Sequence, residues 1–170
     1  FNNFHRIGNI YKFIGSYKKA LFYYKKSYSI VTKLEQKNKI CILKYMIGEV
    51  YLKLEKHKKA LDIFKESIEI QKELPKKKNQ LKEISLLYLS YKRLGKEYNK
   101  NDVYTVIKET ETIEFELNYS LYELLEDKSY LKTAYNQIQE KADAMDKELK
   151  DKFINYPIPK QIIEEYIKIS

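Results

Sequence analysis

The sequence predicts an all-α protein in which antiparallel helix hairpins stack into a solenoid, and two observations support this. The 170 residues are 44% hydrophobic and include only four glycines and three prolines. The chain therefore has enough apolar side chains for a core and few residues that break helices. The sequence also repeats itself every 40 residues, and periods of this length are typical of stacked helical units.

Glycines, small residues and aromatic residues define the repeat. All four glycines fall on just two positions of the 40-residue period. The pairs and triplets that recur at this spacing are Gly8 and Gly48; Gly15 and Gly95; Tyr11, Tyr51 and Tyr91; Ala20 and Ala60; Leu21 and Leu61; Tyr24 and Phe64. Agreement at so many positions indicates that each period is one structural unit.

Each unit is predicted to contain two helices. Apolar residues recur at steps of three and four between Phe4 and Ile14, which places them on one helix face. Gly15 ends this helix, and a second apolar face follows from Ala20 to Val31. Two helices cross closely only where one surface lacks a bulky side chain, so we expect the small residues to mark the crossing within each hairpin.

The period divides the chain into four predicted repeats and a tail within a single domain. The repeats cover about residues 1–40, 41–80, 81–113 and 114–152, with a capping tail at 153–170. Pro75 is expected to lie in the linker behind the second repeat, because proline ends a helix. Val103 and Ile107 are expected core positions of the third. The tail is expected to form a short helix whose apolar stripe packs on the fourth hairpin; the stripe comprises Ile158, Ile162, Ile163, Tyr166 and Ile167.

The repeated residues resemble the tetratricopeptide repeat consensus of Leu-Gly, Tyr, Ala and Phe at these spacings. The family unit has about 34 residues, and the longer unit resembles a long-helix subclass of regulatory scaffold and peptide-sensing proteins. Residues 150–157 resemble the tail of arrays at the C-terminus of large bacterial signalling proteins. The resemblance implies a right-handed superhelix that binds another protein, within a multidomain cytoplasmic regulatory protein of which this chain is a fragment.

The resemblance also implies a binding groove along the first helix of each unit. In the family, five positions of that helix line a concave surface. The groove residues predicted here are Asn2, His5, Asn9, Lys12, Phe13, Tyr45, Glu49, Lys53, Lys82, Ser85, Leu89, Lys92 and Arg93. Their mixture of aromatic, amide and cationic groups suits a peptide or partner domain with some acidic character.

One well-known form of this groove binds a terminal carboxylate through Lys, Asn, Asn, Lys and Arg. The matching positions in this chain are His5, Asn9, Met46, Lys82 and Leu86. Only two of the five agree, which disfavours a clamp of that type.

Charge leaves two other functions open beside peptide binding. Residues 1–80 carry 19 Lys/Arg against 7 Asp/Glu, a net of +12, while residues 81–170 carry 14 against 17, a net of −3. Seventeen tyrosines interleaved with lysines could stack bases and neutralise phosphates, which is compatible with an RNA-binding helical repeat. That alternative is less favoured, because most tyrosines occupy repeat core positions and only two arginines occur. A structural spacer or dimerisation segment is the other alternative, and the oligomeric state stays open.

Nothing in the sequence predicts catalysis, a cofactor or a metal site. It has no phosphate-binding loop, zinc-helix motif or strained serine turn. His5 and His57 lie on different repeats, with His57 expected on an exposed turn, and Cys41 is the only cysteine. The apolar runs are far too short to span a bilayer, so no membrane contact is expected.

Overall fold

The computed structural model describes residues 3–74 and 80–170, and within them it contains ten helices and no strand. The predicted all-α fold is therefore confirmed, whereas Pro75 lies outside the described residues. The helices are α1 (Asn3–Phe13), α2 (Tyr17–Lys33), α3 (Lys37–Lys53), α4 (His57–Lys72), α5 (Gln80–Arg93), α6 (Lys100–Lys108), α7 (Phe115–Leu125), α8 (Lys128–Asp143), α9 (Lys147–Ile154) and α10 (Pro157–Ile169). They form two compact units: unit 1 is 1–99 and unit 2 is 100–170.

The turn after the first helix of each repeat has the same left-handed backbone in all three repeats of unit 1. Gly15 has φ 78°, Gly95 has φ 65°, and Glu55, which takes the equivalent place in the second repeat, has φ 57°. Glycine adopts this region at little cost, whereas a side chain with a Cβ does not. The turn is thus set by the repeat geometry, and the second repeat forms it without glycine. Glu35 and Glu126 are also left-handed, with φ 51° and 63°.

Two close helix crossings organise unit 1. In hairpin 1 (α1 and α2) a Cβ added to Gly8 would lie 2.5 Å from the ring of Tyr24. In hairpin 2 (α3 and α4) a Cβ on Gly48 would meet the ring of Phe64 at an even shorter distance. Both rings are fully buried. The glycines mark the crossing within each hairpin, as the sequence predicts, because the aromatic ring fills the space that a side chain would need.

Successive hairpins of unit 1 share apolar clusters. Ala20, Tyr24 and Val31 of α2 are buried in one cluster with Leu43, Ile47 and Val50 of α3. A second cluster joins hairpin 2 to α5; it contains Cys41, Tyr45, Ala60, Phe64 and Leu86. The two crossing aromatics therefore pack in two directions, because each contacts the glycine of its own hairpin and also belongs to a cluster shared with the next helix.

The repeat pattern changes in α5. The period makes residue 88 the equivalent of Gly8 and Gly48, but it is Tyr88, whose ring lies 6.0 Å from that of Tyr91 and 5.4 Å from that of Tyr98. A ring at this position leaves no room for a crossing of the glycine type. The chain divides into its two units six residues after this helix ends. The single array over 1–170 stays a prediction.

Unit 2 is built on the α7–α8 hairpin, followed by two short helices. The second helix of the fourth repeat, α8, ends at Asp143, and the rest of the predicted repeat up to residue 152 belongs to a separate helix. The carboxylate of Asp146 accepts a hydrogen bond from the backbone N–H of Leu149 at 2.9 Å and so caps the new helix α9. In α6 the predicted core residue Val103 is fully buried, while Ile107 is half-buried.

The tail packs on α8, as the sequence predicts. Ile162 is fully buried in the unit 2 core with Leu131, Ala134 and Ile138 of α8. The rings of Tyr135 and Tyr166 stack at 4.2 Å. One member of the predicted stripe is wrong: Ile167 is 67% exposed. It lies five residues after Ile162, and a helix turns through 500° in that span, which carries the side chain away from the packed face.

We expect Gly48→Ala to lower the free energy of unfolding by about 1–3 kcal/mol, because the new methyl group overpacks the crossing with Phe64. Phe64→Leu, combined with Gly48→Ala, should cost less than the sum of the two single changes, since the smaller side chain makes room for the methyl. Denaturant titration measures both effects. Glu69→Ala on the exposed face of α4 is the control and should cost about 0.5 kcal/mol or less. Strict additivity of the two core changes would contradict the proposed crossing.

A matched pair of isoleucines tests the tail. Ile162→Ala should destabilise by about 2–5 kcal/mol, because it leaves a cavity in the core of unit 2. Ile167→Ala, on the same helix but exposed, should change stability by about 0.5 kcal/mol or less. Thermal melts of the two variants give the comparison, and equal losses would mean that α10 does not pack through Ile162.

Candidate peptide-binding groove

The predicted groove residues that the structure describes lie on α1, α3 and α5, the first helices of the three repeats in unit 1. Glu49 of α3 connects all three helices. Its Oε1 is 3.0 Å from Nζ of Lys12 on α1, and its Oε2 is 3.4 Å from Nζ of Lys82 on α5. The Glu49 side chain is only 12% exposed, whereas that of Lys82 is 42% exposed. A buried carboxylate thus fixes lysines from both neighbouring helices on one surface.

Positive charge dominates around Glu49. Burial alone would raise the pKa of Glu49, but the charges of Lys82 and Lys12, the hydrogen bond from Lys12 and the charge of Lys53 together lower it to about 2. Glu49 is therefore ionised at neutral pH. One carboxylate balances only one of the three lysines, so this surface keeps a positive charge.

A separate set of hydrogen-bonded side chains lies nearer the N-terminus of α1. The hydroxyl of Tyr24 donates a hydrogen bond to Oδ1 of Asn9 at 2.7 Å, and Nδ2 of Asn9 lies 3.4 Å from Nε2 of His5. Burial lowers the pKa of His5, which favours the neutral imidazole. The amide oxygen of Asn9 is thus occupied by the core, and Leu86 is buried.

Three of the predicted groove residues are buried in the core of unit 1, so their prediction as groove-lining residues is wrong. Tyr45 is 8% exposed and its ring lies 5.4 Å from that of Phe64; burial raises the pKa of its hydroxyl. Ser85 is fully buried and Leu89 nearly so. The family positions transfer poorly here, because the close packing of α5 on hairpin 2 turns these side chains inward.

The other predicted residues are accessible to different degrees. Phe13 is 39% exposed and Arg93 is exposed, both at the C-terminal ends of their helices. Lys53 and Lys92 are half-buried. Asn2 lies outside the described residues. The structure thus brings Lys12, Lys53 and Lys82 together around Glu49. Lys92 and Arg93 lie in the last turn of α5.

Sequence reasoning placed Glu49 in the groove but missed its ion pairs. The period gives residues 9, 49 and 89 as Asn, Glu and Leu, so the acid does not recur and no repeat signal marks it. The available signal was a lone glutamate at a groove position in a strongly basic half of the chain. A glutamate on the first helix of one repeat can pair with lysines on the first helices of the repeats before and after it, as Glu49 does.

Other reactive side chains form no site among the described residues. Cys41 is buried, with its Sγ 3.0 Å from Oγ of Ser67. His57 was expected to be exposed, and this is wrong: it is half-buried at the start of α4. Within the described ranges no group of three or more His, Cys, Asp or Glu could hold a metal ion, and no helix is long and apolar enough to cross a membrane.

The comparison with known families agrees with the geometry of unit 1. The family model for the tetratricopeptide repeat matches residues 1–77, so this part of the chain is similar to tetratricopeptide repeats. Repeats of this family generally mediate protein–protein interactions, and their helical fold is typically a non-catalytic scaffold. No curated protein and no solved structure gave a significant match to the chain.

The ion pairs of Glu49 predict a dependence on pH. Because the folded-state pKa lies below the ordinary value, ionised Glu49 stabilises the fold above about pH 4.5, and this contribution is lost as the pH falls toward 2. Glu49→Gln should therefore cost about 1–3 kcal/mol at pH 7, through weaker hydrogen bonds to the lysines, and progressively less in acid. Urea titrations at several pH values measure this. Glu73→Gln removes an exposed pair with Lys37 and is the control, with little effect expected at any pH.

Proposed function

We propose that unit 1 is a protein-interaction scaffold whose groove, lined by α1, α3 and α5, binds a partly acidic peptide or partner segment. The observation that carries the proposal is the joining of Lys12 and Lys82 by the buried Glu49. These ion pairs hold α1, α3 and α5 together, so the cations further along these helices need less reordering when a ligand binds. The groove is thereby prepared for an anionic ligand before the ligand arrives.

The distribution of charge indicates where a ligand carboxylate would bind. Glu49 neutralises part of the charge on Lys12 and Lys82, so those lysines serve mainly to hold the surface in shape. Lys53, Lys92 and Arg93 lie toward the C-terminal ends of α3 and α5. We assign the ligand's acidic groups to these three residues and an apolar anchor to the exposed ring of Phe13.

The wider setting remains part of the proposal. The chain is proposed to act within a larger cytoplasmic regulatory protein of bacterial type, following the resemblance of its repeats and tail. RNA binding is the second candidate function, and the observation that favours it is the excess of lysine over acid in unit 1, with 23 Lys/Arg against 9 Asp/Glu.

Paired charge reversals separate the two functions. A labelled peptide is first selected on the chain from a random twelve-residue library, where the length of about twelve is enough to cross three helices. Lys53→Glu with Lys92→Glu should weaken its binding by about tenfold or more, because two favourable contacts become repulsive. Fluorescence anisotropy at two salt concentrations measures the dissociation constant, which should rise with salt.

The control reverses two exposed lysines in the first turn of α4, Lys58→Glu with Lys59→Glu. It changes the net charge by the same amount but should leave peptide affinity nearly unchanged. Equal losses in both double variants would exclude the groove. Tight binding of a single-stranded oligonucleotide that falls equally in both would support the nucleic-acid function instead.

A further inference from the structure

The outer side of α2 carries lysines and exposed apolar residues together. Phe22, in the first half of the helix, is 53% exposed, and Leu34, which caps its C-terminal end, is 59% exposed. At about 100° per residue, these two side chains and their neighbours on the same side fall within roughly half of the helix circumference. All of them are exposed, and they are here called the α2 outer face: Lys18, Lys19, Phe22, Lys25, Lys26, Ile30, Lys33 and Leu34.

This side of a second helix stays uncovered when repeats stack. In hairpin 2 the equivalents of Phe22 and Lys26, forty residues on, are Asp62 and Glu66. Both are exposed on α4, although hairpin 1 precedes it in the stack. The exposure of Phe22 and Lys26 is therefore a property of hairpin 1 itself, and a further repeat stacked in the same way would not remove it.

The positive charge of the α2 outer face is not neutralised within the described residues. Residues 3–33 contain no Asp or Glu, and none of the five lysines of the face forms an ion pair there. On the equivalent face of α4, carboxylates alternate with lysines, and Glu66 pairs with Lys44 of α3. Lysine content does not explain the difference, because α4 has four lysines against five in α2. Only the face on α2 keeps a strong positive charge.

Lysines mixed with exposed apolar side chains are typical of a helix that lies on a membrane surface. At such a surface, apolar side chains leave water at the edge of the acyl chains, while lysine ammonium groups stay among the lipid headgroups. Phe22, Ile30 and Leu34 supply the apolar part, and the following helix α3 leaves them exposed. The outer side of one helix is also convex, so it has no cleft for a peptide but fits against a broad surface.

Two features of the α2 outer face disfavour nucleic acid. Nζ of Lys26 lies 4.5 Å from the centre of the Phe22 ring, so a cation occupies a ring face on which a base would stack. The face also has no arginine, which is the cation that binds single phosphates in a forked geometry. Lysine is a point charge without that directionality, which suits the many anionic groups of a bilayer surface.

We propose that the α2 outer face binds the surface of a bilayer that contains anionic lipids. Its lysines contact the phosphate and carboxylate groups of the headgroups, and each strengthens binding by about fivefold. Phe22 and Leu34 enter the boundary between headgroups and acyl chains. Binding of this kind needs no spanning helix. The groove lies on the first helices α1, α3 and α5 and takes no part in the contact.

A single tryptophan tests whether the face enters the bilayer. The chain has no tryptophan, so Phe22→Trp introduces a unique fluorophore into the whole 170-residue chain. With vesicles of phosphatidylcholine and about 30% phosphatidylserine, its emission should shift to shorter wavelength, because the indole leaves water. Vesicles of phosphatidylcholine alone should cause no shift. Leu149→Trp on α9 is the control, since Leu149 is also 53% exposed, and its emission should not change.

Neutralising lysines at matched positions tests the charge. Two triple variants change the same three repeat positions of the second helices in hairpins 1 and 2. They are Lys18→Gln, Lys19→Gln and Lys25→Gln on α2, and Lys58→Gln, Lys59→Gln and Lys65→Gln on α4. Cosedimentation with the anionic vesicles should weaken by about tenfold or more for the α2 variant and by about threefold or less for the α4 variant. Thermal melts should show both variants folded, because all six side chains are exposed.

Several results would overturn the proposal. Equal losses in the two triple variants would mean that the charge of the whole chain, and no particular face, attracts the vesicles. Equal spectral shifts at positions 22 and 149 would likewise exclude a defined orientation. Equal binding to vesicles without phosphatidylserine would remove the requirement for anionic lipid. If the vesicles do not bind, loss of oligouridine binding in the α2 variant would assign the face to nucleic acid, and loss of polyglutamate binding would assign it to an acidic protein.

Discussion

The rest of unit 1 depends on one contact, the approach of an aromatic ring to a glycine at the crossing of two helices. Gly8 under Tyr24 and Gly48 under Phe64 bring each helix pair closer than any side chain would allow. This closeness buries the ring fully and leaves its far side to join the cluster with the next hairpin. The hairpins can therefore stack because the two helices within each hairpin cross closely. The position of α3 between α1 and α5, and hence of Glu49 between Lys12 and Lys82, is a consequence of both.

Much of the fold of unit 1 could be predicted, because small and aromatic residues recur with the repeat period. Gly8 and Gly48 recur at the crossing, Tyr24 and Phe64 recur opposite them, and a regular period is visible without any structure. The left-handed turn at Gly15 and Gly95 follows similarly from the conformational freedom of glycine. Where the pattern is lost, prediction was weaker. Tyr88 replaces the crossing glycine, and the break between Asp143 and Lys147 has no glycine or proline to mark it.

The groove was less predictable than the fold. Family positions identified the helices that line it and included Lys12, Glu49 and Lys82, yet they also included Tyr45, Ser85 and Leu89, which are buried. Which side of a helix is covered depends on how its neighbours pack, and one residue of rotation, about 100°, moves a side chain from surface to core. Ion pairs are harder still, because they join helices 33 and 37 residues apart in the sequence and have no periodic signal.

The three left-handed glutamates have a consequence for how this protein could change over time. Glu35, Glu55 and Glu126 each hold a backbone conformation that costs an ordinary residue roughly 1 kcal/mol. Glycine occupies the place of Glu55 in the other two repeats of unit 1, at Gly15 and Gly95. The chain therefore retains unused stability at these exposed turn positions. A lineage that acquired glycine at these turns would gain heat tolerance, and that reserve would let it accept otherwise damaging substitutions in the groove. New binding specificities could then arise without loss of the fold.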